Sequence, residues 1–426
     1  MFDFIIKVRY VMVVFRLNFL PILMLAILIF QVSVLPDTLN MKLLARVANA
    51  LILVMLLIWV FLTVNRKQSA LMWSFFTLPC FLVLAGFSIN FLMALSPETL
   101  GQAGKFIPWL SLLVIPFVRK ANVEIFWDYF YKFMFVSISI SIIEYVAVFS
   151  GYLTPVVIET DRGVFYKGIF SIFHYLEGGI VYYRFYGIFA EPGTTAMFVL
   201  PALVYAVIFK KYIAALVFVV AMILTDSLGG VVSLLVTLFL FFLWKTAGRT
   251  KASFWSRCVV FILMPILFLM VADNLTEQYE HKQLSASLRE DNVSNFIENI
   301  GEIIVANPFG FVLKGKSMSE LADENEGFLG SNFTFYTAFV LGGVLSFVGY
   351  TIFFFLNIYL CTKFYLKGFS SDKILACAMI SLPGLLLFCF QRTTILETAL
   401  YSFLFAIPLV TLINYSPSKS IIKSVY

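Results

Sequence analysis

The residues best suited to chemistry fall in two stretches outside the long apolar runs. The first ends in Arg184-Phe185-Tyr186-Gly187-Ile188-Phe189-Ala190-Glu191-Pro192-Gly193, an arginine and a glutamate flanking a short apolar string. Arginine offers a planar, permanently charged fork that matches phosphate oxygens. Pro192-Gly193 forces a turn into the next helix, whose unpaired N-terminal N–H groups also favour anions. The plainer alternatives are an Arg184–Glu191 salt bridge that closes the loop, or an Arg184 that reaches to the membrane surface by snorkelling. The second stretch starts near Arg289. Apolar residues at Leu288, Val293, Phe296, Ile297, Ile300, Ile303 and Ile304 predict an amphipathic helix over 288–305 that lies on a bundle. Asn307-Pro308-Phe309-Gly310 ends it with helix breakers.

The remaining candidates are few. His174 and His281 have no Cys, His or carboxylate at metal-ligand spacing, so no metal and no cofactor is expected. Asp323-Glu324-Asn325-Glu326 has its glycine, Gly327, at the wrong place for a calcium loop and reads as a solvated charge run. Inside the apolar runs the ionisable residues are sparse, chiefly Arg46, Glu144 and Asp226. That scarcity argues against an ion-coupled transporter. Glu144 is expected to line a cavity beneath the loops or to sit near the outer interface.

The elements that must position these residues follow from composition. Of 426 residues, 61% are hydrophobic and 13% charged, with a mean hydropathy of +0.96. Soluble domains carry about 25% charge, so a soluble enzyme, a disordered regulator and a secreted disulfide scaffold are excluded. A polytopic membrane protein remains. Runs of about 20 apolar residues give twelve expected spans, near 17–35, 44–64, 71–95, 101–118, 133–151, 194–209, 212–226, 228–244, 255–273, 333–358, 374–391 and 398–414. The run 212–244 reads as a tight hairpin pair turning at Thr225-Asp226-Ser227-Leu228-Gly229-Gly230. No cleavable signal peptide is expected from the N-terminal pattern.

Lys and Arg placement sets direction, because cytoplasmic loops retain positive charge. With twelve spans, one side carries 19 Lys/Arg against 4 Asp/Glu, and the rest of the chain 11 against 20. That side includes Arg66-Lys67, Arg119-Lys120, Lys132, Lys210-Lys211 and Lys373, and places both termini in the cytoplasm. The net charge of +6 thus reports topology, and no nucleic-acid partner is expected. Two long external loops result, 152–193 and 274–332, within a single all-α integral membrane domain, 1–426. The first is rich in Ile, Phe and Tyr and is expected to lie among lipid head groups. The five cysteines avoid these loops, so no external disulfide framework is expected.

The string Arg184-x-x-Gly187-x-Phe189-x-Glu191-Pro192-Gly193 resembles the signature of O-antigen polymerases (Wzy). So do the turn Asp226-Ser227-Leu228-Gly229-Gly230 and the later order of Arg289, Asn307-Pro308-x-Gly310, Ser331-Asn332 and Gly342-Gly343. The likeness covers roughly 130–350. It implies a GT-C-like membrane glycosyltransferase of the bacterial inner membrane, with its active site facing the periplasm. Such a protein joins undecaprenyl-diphosphate-linked oligosaccharide repeats into surface polysaccharide, O-antigen or capsule, without metal, and works with a chain-length regulator. The resemblance implies Arg184, Arg289 and Glu191 as catalytic residues: two cations for the diphosphate leaving group and a candidate base, with His174 the next candidate. Tyr186, Gly187, His174, Asn332 and Glu144 are expected around the substrate. O-antigen ligases, which transfer glycan to lipid A-core, share the layout but usually carry a His-x-x-His-Asn-like element where this chain reads Gly330-Ser331-Asn332. A lipid-linked oligosaccharide flippase is the alternative from another class.

Overall fold

The computed structural model describes residues 70–93, 120–160, 163–176, 182–189, 191–245, 297–302, 304–310, 334–366 and 372–388, with isolated positions elsewhere. The described chain is mostly helical. Its helices are α1 (Ala70–Met93), α2 (Lys120–Phe149), α3 (Pro192–Ile208), α4 (Tyr212–Leu224), α5 (Leu228–Lys245), α6 (Thr334–Leu366) and α7 (Lys373–Leu387). Among the described residues two segments are long and apolar enough to cross a membrane, by length and composition: Asn122–Phe149, 28 residues, and Gly342–Leu360, 19 residues. Shorter apolar helices at Pro192–Ile208, Tyr212–Leu224, Gly229–Lys245 and Lys373–Leu387 follow the expected runs. The expected spans at 101–118 and 255–273, and nearly all of 17–35, 44–64 and 398–414, lie outside the described residues.

The all-α expectation is corrected by the first loop. Residues 156–185 form a four-stranded antiparallel sheet, β1 (Val156–Thr160), β2 (Gly163–Lys167), β3 (Ile172–Leu176) and β4 (Tyr182–Phe185), in the order β1-β2-β3-β4. The reason is local. Runs of β-branched and aromatic residues are punctuated by Gly163, Gly168 and Gly178-Gly179, so each short apolar run pairs with the next. The sheet stands on α2. Register partners Phe173 and Phe185, both fully buried, each bring their rings to 5.7 Å from Tyr145.

A second correction concerns α2, which begins at Lys120 rather than at 133. Charges at Glu124, Asp128 and Lys132 interrupt the hydropathy but not the helix. Asp128 and Lys132 pair at i,i+4, 2.6 Å apart, on its surface.

The two ends of the bundle differ in charge. At one end Lys211, in the α3–α4 link, lies 4.0 Å from Asp128 of α2 and 4.1 Å above the Tyr131 ring. Lys373, at the start of α7, lies 5.4 Å from the ring of Phe209. Asp372 caps α7 by accepting from the Ile374 N–H at 3.0 Å. The structure gathers Lys132, Lys210-Lys211 and Lys373 at one end of the described helices. The sheet and the α4–α5 turn occupy the other end.

The helix α6 is broken. Gly342 (φ −148°, ψ 19°) and Gly343 (φ 62°, ψ −157°) leave helical geometry in the middle of an apolar helix. Asn307-Pro308-Phe309-Gly310 fills the gap: the Val344 N–H donates to Pro308 O at 3.0 Å, and the Gly310 N–H closes the turn on Asn307 O at 3.0 Å. Asn90 of α1, 5% exposed, donates its amide to Val340 O and Phe309 O, both at 3.4 Å. A buried backbone group needs such a partner, and a break in an apolar helix is tolerated where protein supplies it. Gly343 is required twice over, by its positive φ and because a Cβ there would collide with Pro308 O. Residues 297–302 and 304–306 are helical, as the amphipathic pattern predicts. The expected apolar face is only partly covered: Ile300 packs on the core, but Ile297 is 62% exposed.

Candidate functional site

Arg184 sits on β4, and the register places it opposite His174 on β3. Its half-exposed side chain crosses to the α4–α5 turn, where Nε donates to Thr225 O at 3.0 Å and Nη2 to Asp226 O at 2.8 Å. These carbonyls lie at the C-terminal end of α4, where orphan acceptors and the helix dipole favour a cation. Asp226 turns the chain there with φ 45°, a left-handed conformation that Asp tolerates better than most residues. Among the described residues Arg184 thus uses two of its five N–H donors, both on main-chain oxygens. These two bonds fix the plane of the guanidinium.

The contact from Arg184 to Asp226, 42 residues away, joins two sequence strings, the Arg184–Gly193 string and the Asp226–Gly230 string. A third neighbour meets them: a Cβ on Gly230 would stand 2.8 Å from the Ala196 Cβ, so α5 starts close against the first turns of α3. The Gly230 N–H is held by Ser227 Oγ at 3.3 Å.

Most of this connecting string is packed into the core. Phe185 and Phe189 are fully buried, and Phe189 stacks on Phe198 of α3 at 4.6 Å. Gly187 (φ 60°) accepts from the Ile172 N–H at 3.1 Å. Tyr186 is 7% exposed, with its ring 5.9 Å from Phe165 and its carbonyl accepting from Thr195 Oγ1. Tyr186 and Gly187 therefore serve the core of the turn. The half-exposed members are its charged ends, Arg184 and Glu191. Glu191 is the N-cap residue of α3, in extended conformation, with Pro192 at the first helical position and no capping bond from its side chain.

Glu144 lies on α2, 6% exposed. Its Oε1 accepts from the Ile169 N–H, and both carboxylate oxygens accept from the Phe170 N–H at 3.2 Å. Sequence reasoning marked Glu144 as an acid inside an apolar run, beside a cavity or near the outer interface, but gave no sign of this partner, because a main-chain amide carries no residue-type signal. Likewise nothing in the residue types pointed to Thr225 as the acceptor for Arg184, and Asn90 was not singled out at all. Arg289, Asn332, the acidic run 323–326 and the rest of 311–333 lie outside the described residues. Among the described residues no group of three His, Cys, Asp or Glu is placed to hold a metal.

Compared with known proteins, the chain matches no protein-family model and no curated protein.

Proposed function

We propose that this chain is a membrane-embedded glycosyltransferase that polymerises undecaprenyl-diphosphate-linked oligosaccharide repeats on the outer face of a bacterial inner membrane. In this reading the bundle has twelve spans in a GT-C-like arrangement, with both termini cytoplasmic and the sheet and α4–α5 turn periplasmic. The observation that carries the reading is the Arg184 guanidinium, fixed on Thr225 O and Asp226 O beside the start of α5. It supports the reading because it ties together two strings whose resemblance to O-antigen polymerases was drawn from sequence alone. Polymer then leaves as surface polysaccharide, with a chain-length regulator as partner.

The chemistry asked of the site is modest. An acceptor sugar hydroxyl attacks the anomeric carbon of the donor, and the carbon–oxygen bond to the lipid diphosphate breaks. The bonding pair leaves with the diphosphate, and the hydroxyl proton goes to a base. Diphosphate is a good leaving group whose growing charge needs preorganised cations. Arg184 supplies one and Arg289 the second. Glu191, at the other end of the same connector, is the base assigned to the hydroxyl proton, with His174 on the strand opposite Arg184 as the alternative.

The test is the surface-glycan pattern of a strain whose own copy is deleted and replaced by variants. Deletion should leave a single capped repeat unit on the surface, and Arg184→Ala and Arg289→Ala should do the same with the protein still in the membrane. Loss of all surface glycan on deletion would indicate a ligase or flippase. Normal polymer from both arginine variants would end the two-arginine account.

A further inference from the structure

Glu144 stands in an unusual place for a carboxylate. It lies near the end of an apolar helix, buried, and its oxygens face the main chain of the turn that joins β2 to β3. That turn is closed by the Gly168 N–H donating to Ser171 O at 2.9 Å. Glycine at 168 leaves room for this contact: a Cβ there would collide with Glu144 Oε1 and push the carboxylate off the turn amides. A carboxylate suits this position because both oxygens accept, and bonds from amides to a charged acceptor are about twice as strong as neutral ones. Glutamine could keep its one oxygen on these amides but without the charge, and its N–H₂ would stand in the place of Oε2, facing the Phe170 N–H.

The neighbouring side chain completes the attachment. Tyr145 receives Phe173 of β3 and Phe185 of β4, which are register partners. Phe185 is followed back along β4 by Arg184, whose guanidinium reaches the α4–α5 turn. The sheet is thus held at two points, by Glu144 and Tyr145 on α2 and by Arg184 on Thr225 and Asp226.

We infer that Glu144 is a positioning residue: its carboxylate fastens the β2–β3 turn to α2 and so fixes the strand that presents Arg184. This gives Glu144 a role through Arg184 instead of a contact with substrate. It rests on the proposed function only for the step from Arg184 to polymer, and the attachment itself can be read without any activity.

The experiment uses the full-length protein in lipid nanodiscs for amide hydrogen exchange and the replacement strain for polymer. Glu144→Gln should raise exchange across the peptide containing 168–171 and lower polymer about tenfold at equal protein in the membrane, as for a catalytic group displaced by a fraction of an ångström. Gly168→Ala should do the same from the other side of the contact. Glu144→Asp, which draws the carboxylate back by one methylene, should be mild alone and should restore part of what Gly168→Ala loses. That non-additive rescue is expected of two groups in contact and not of two separate defects. Unchanged exchange in Glu144→Gln, or a double variant no better than Gly168→Ala, would overturn the attachment. Raised exchange with normal polymer would overturn the link to Arg184, while the Arg184→Ala pattern decides the proposed function independently.

Discussion

The two long loops are fastened to the bundle by different means. The first folds into its own sheet and is held by charged side chains, Glu144 on turn amides and Arg184 on helix-end carbonyls. The second, where it is described at 304–310, has no sheet. It is held without charge, chiefly by main chain in the gap of a broken helix, Pro308 O on the Val344 N–H with Gly310 against Gly343, and by the neutral Asn90 amide on Phe309 O. The difference shows which changes each loop feels. A side-chain fastening fails when charge is removed without change of shape. A main-chain fastening ignores charge and fails when a single methyl group is added.

The largest effect should therefore come from Gly343→Ala. The positive φ and the collision with Pro308 O together cost about 3 kcal/mol or more. Thermal unfolding followed by fluorescence-detected size exclusion should show an early-melting or absent protein. A wild-type melting temperature would mean that the break is not keyed by the turn. Asn90→Leu keeps the branched four-atom shape and removes the two bonds to Phe309 O and Val340 O, for an expected loss of about 1–3 kcal/mol. The same assay reads it, and neutrality would separate α1 from the second loop. Thr195→Val is a smaller perturbation in the first loop. It removes the hydroxyl donated to Tyr186 O and should cost about 1 kcal/mol. It should lower polymer only slightly, because Arg184 keeps its carbonyl partners; a loss as large as that of Arg184→Ala would place the fastening of the strand in the connector instead of in Arg184 and Glu144.

The sequence was readable where one pattern had one structural meaning. The apolar runs at 194–209, 212–226, 228–244 and 374–391 became helices within a few residues, and the Asp226–Gly230 string became the hairpin turn. It was misread where a composition had two meanings. Ile, Phe and Tyr in 152–193 suit both a lipid interface and a sheet, and the spacing of Gly163, Gly168 and Gly178-Gly179 at hairpin intervals was the signal that separates them. The start of α2 was missed because charge lowers hydropathy without lowering helix propensity, and Asp128 and Lys132 pair along the helix. Gly342-Gly343 was visible as a motif, but residue types do not say whether a glycine pair is there for close packing or for positive φ. In the site, Arg184 and Glu191 stood out as rare charges. The partners that give Arg184 and Glu144 their geometry are main-chain atoms of distant residues, and no residue-level pattern reveals those.

Under the proposed function Arg184 acts on a diphosphate leaving group, and reconstitution with a synthetic diphosphate-linked repeat reads that role without a cell. Purified wild-type protein in nanodiscs should extend the repeat to polymer and release lipid diphosphate in step with each bond. Arg184→Ala, folded to the same melting temperature within a few degrees, should slow both by about a hundredfold or more. Arg184→Lys should recover only part of the rate, because it restores charge without the planar fork. Equal rates for wild type and Arg184→Ala would contradict the claim and leave Arg184 as a helix-end cap alone.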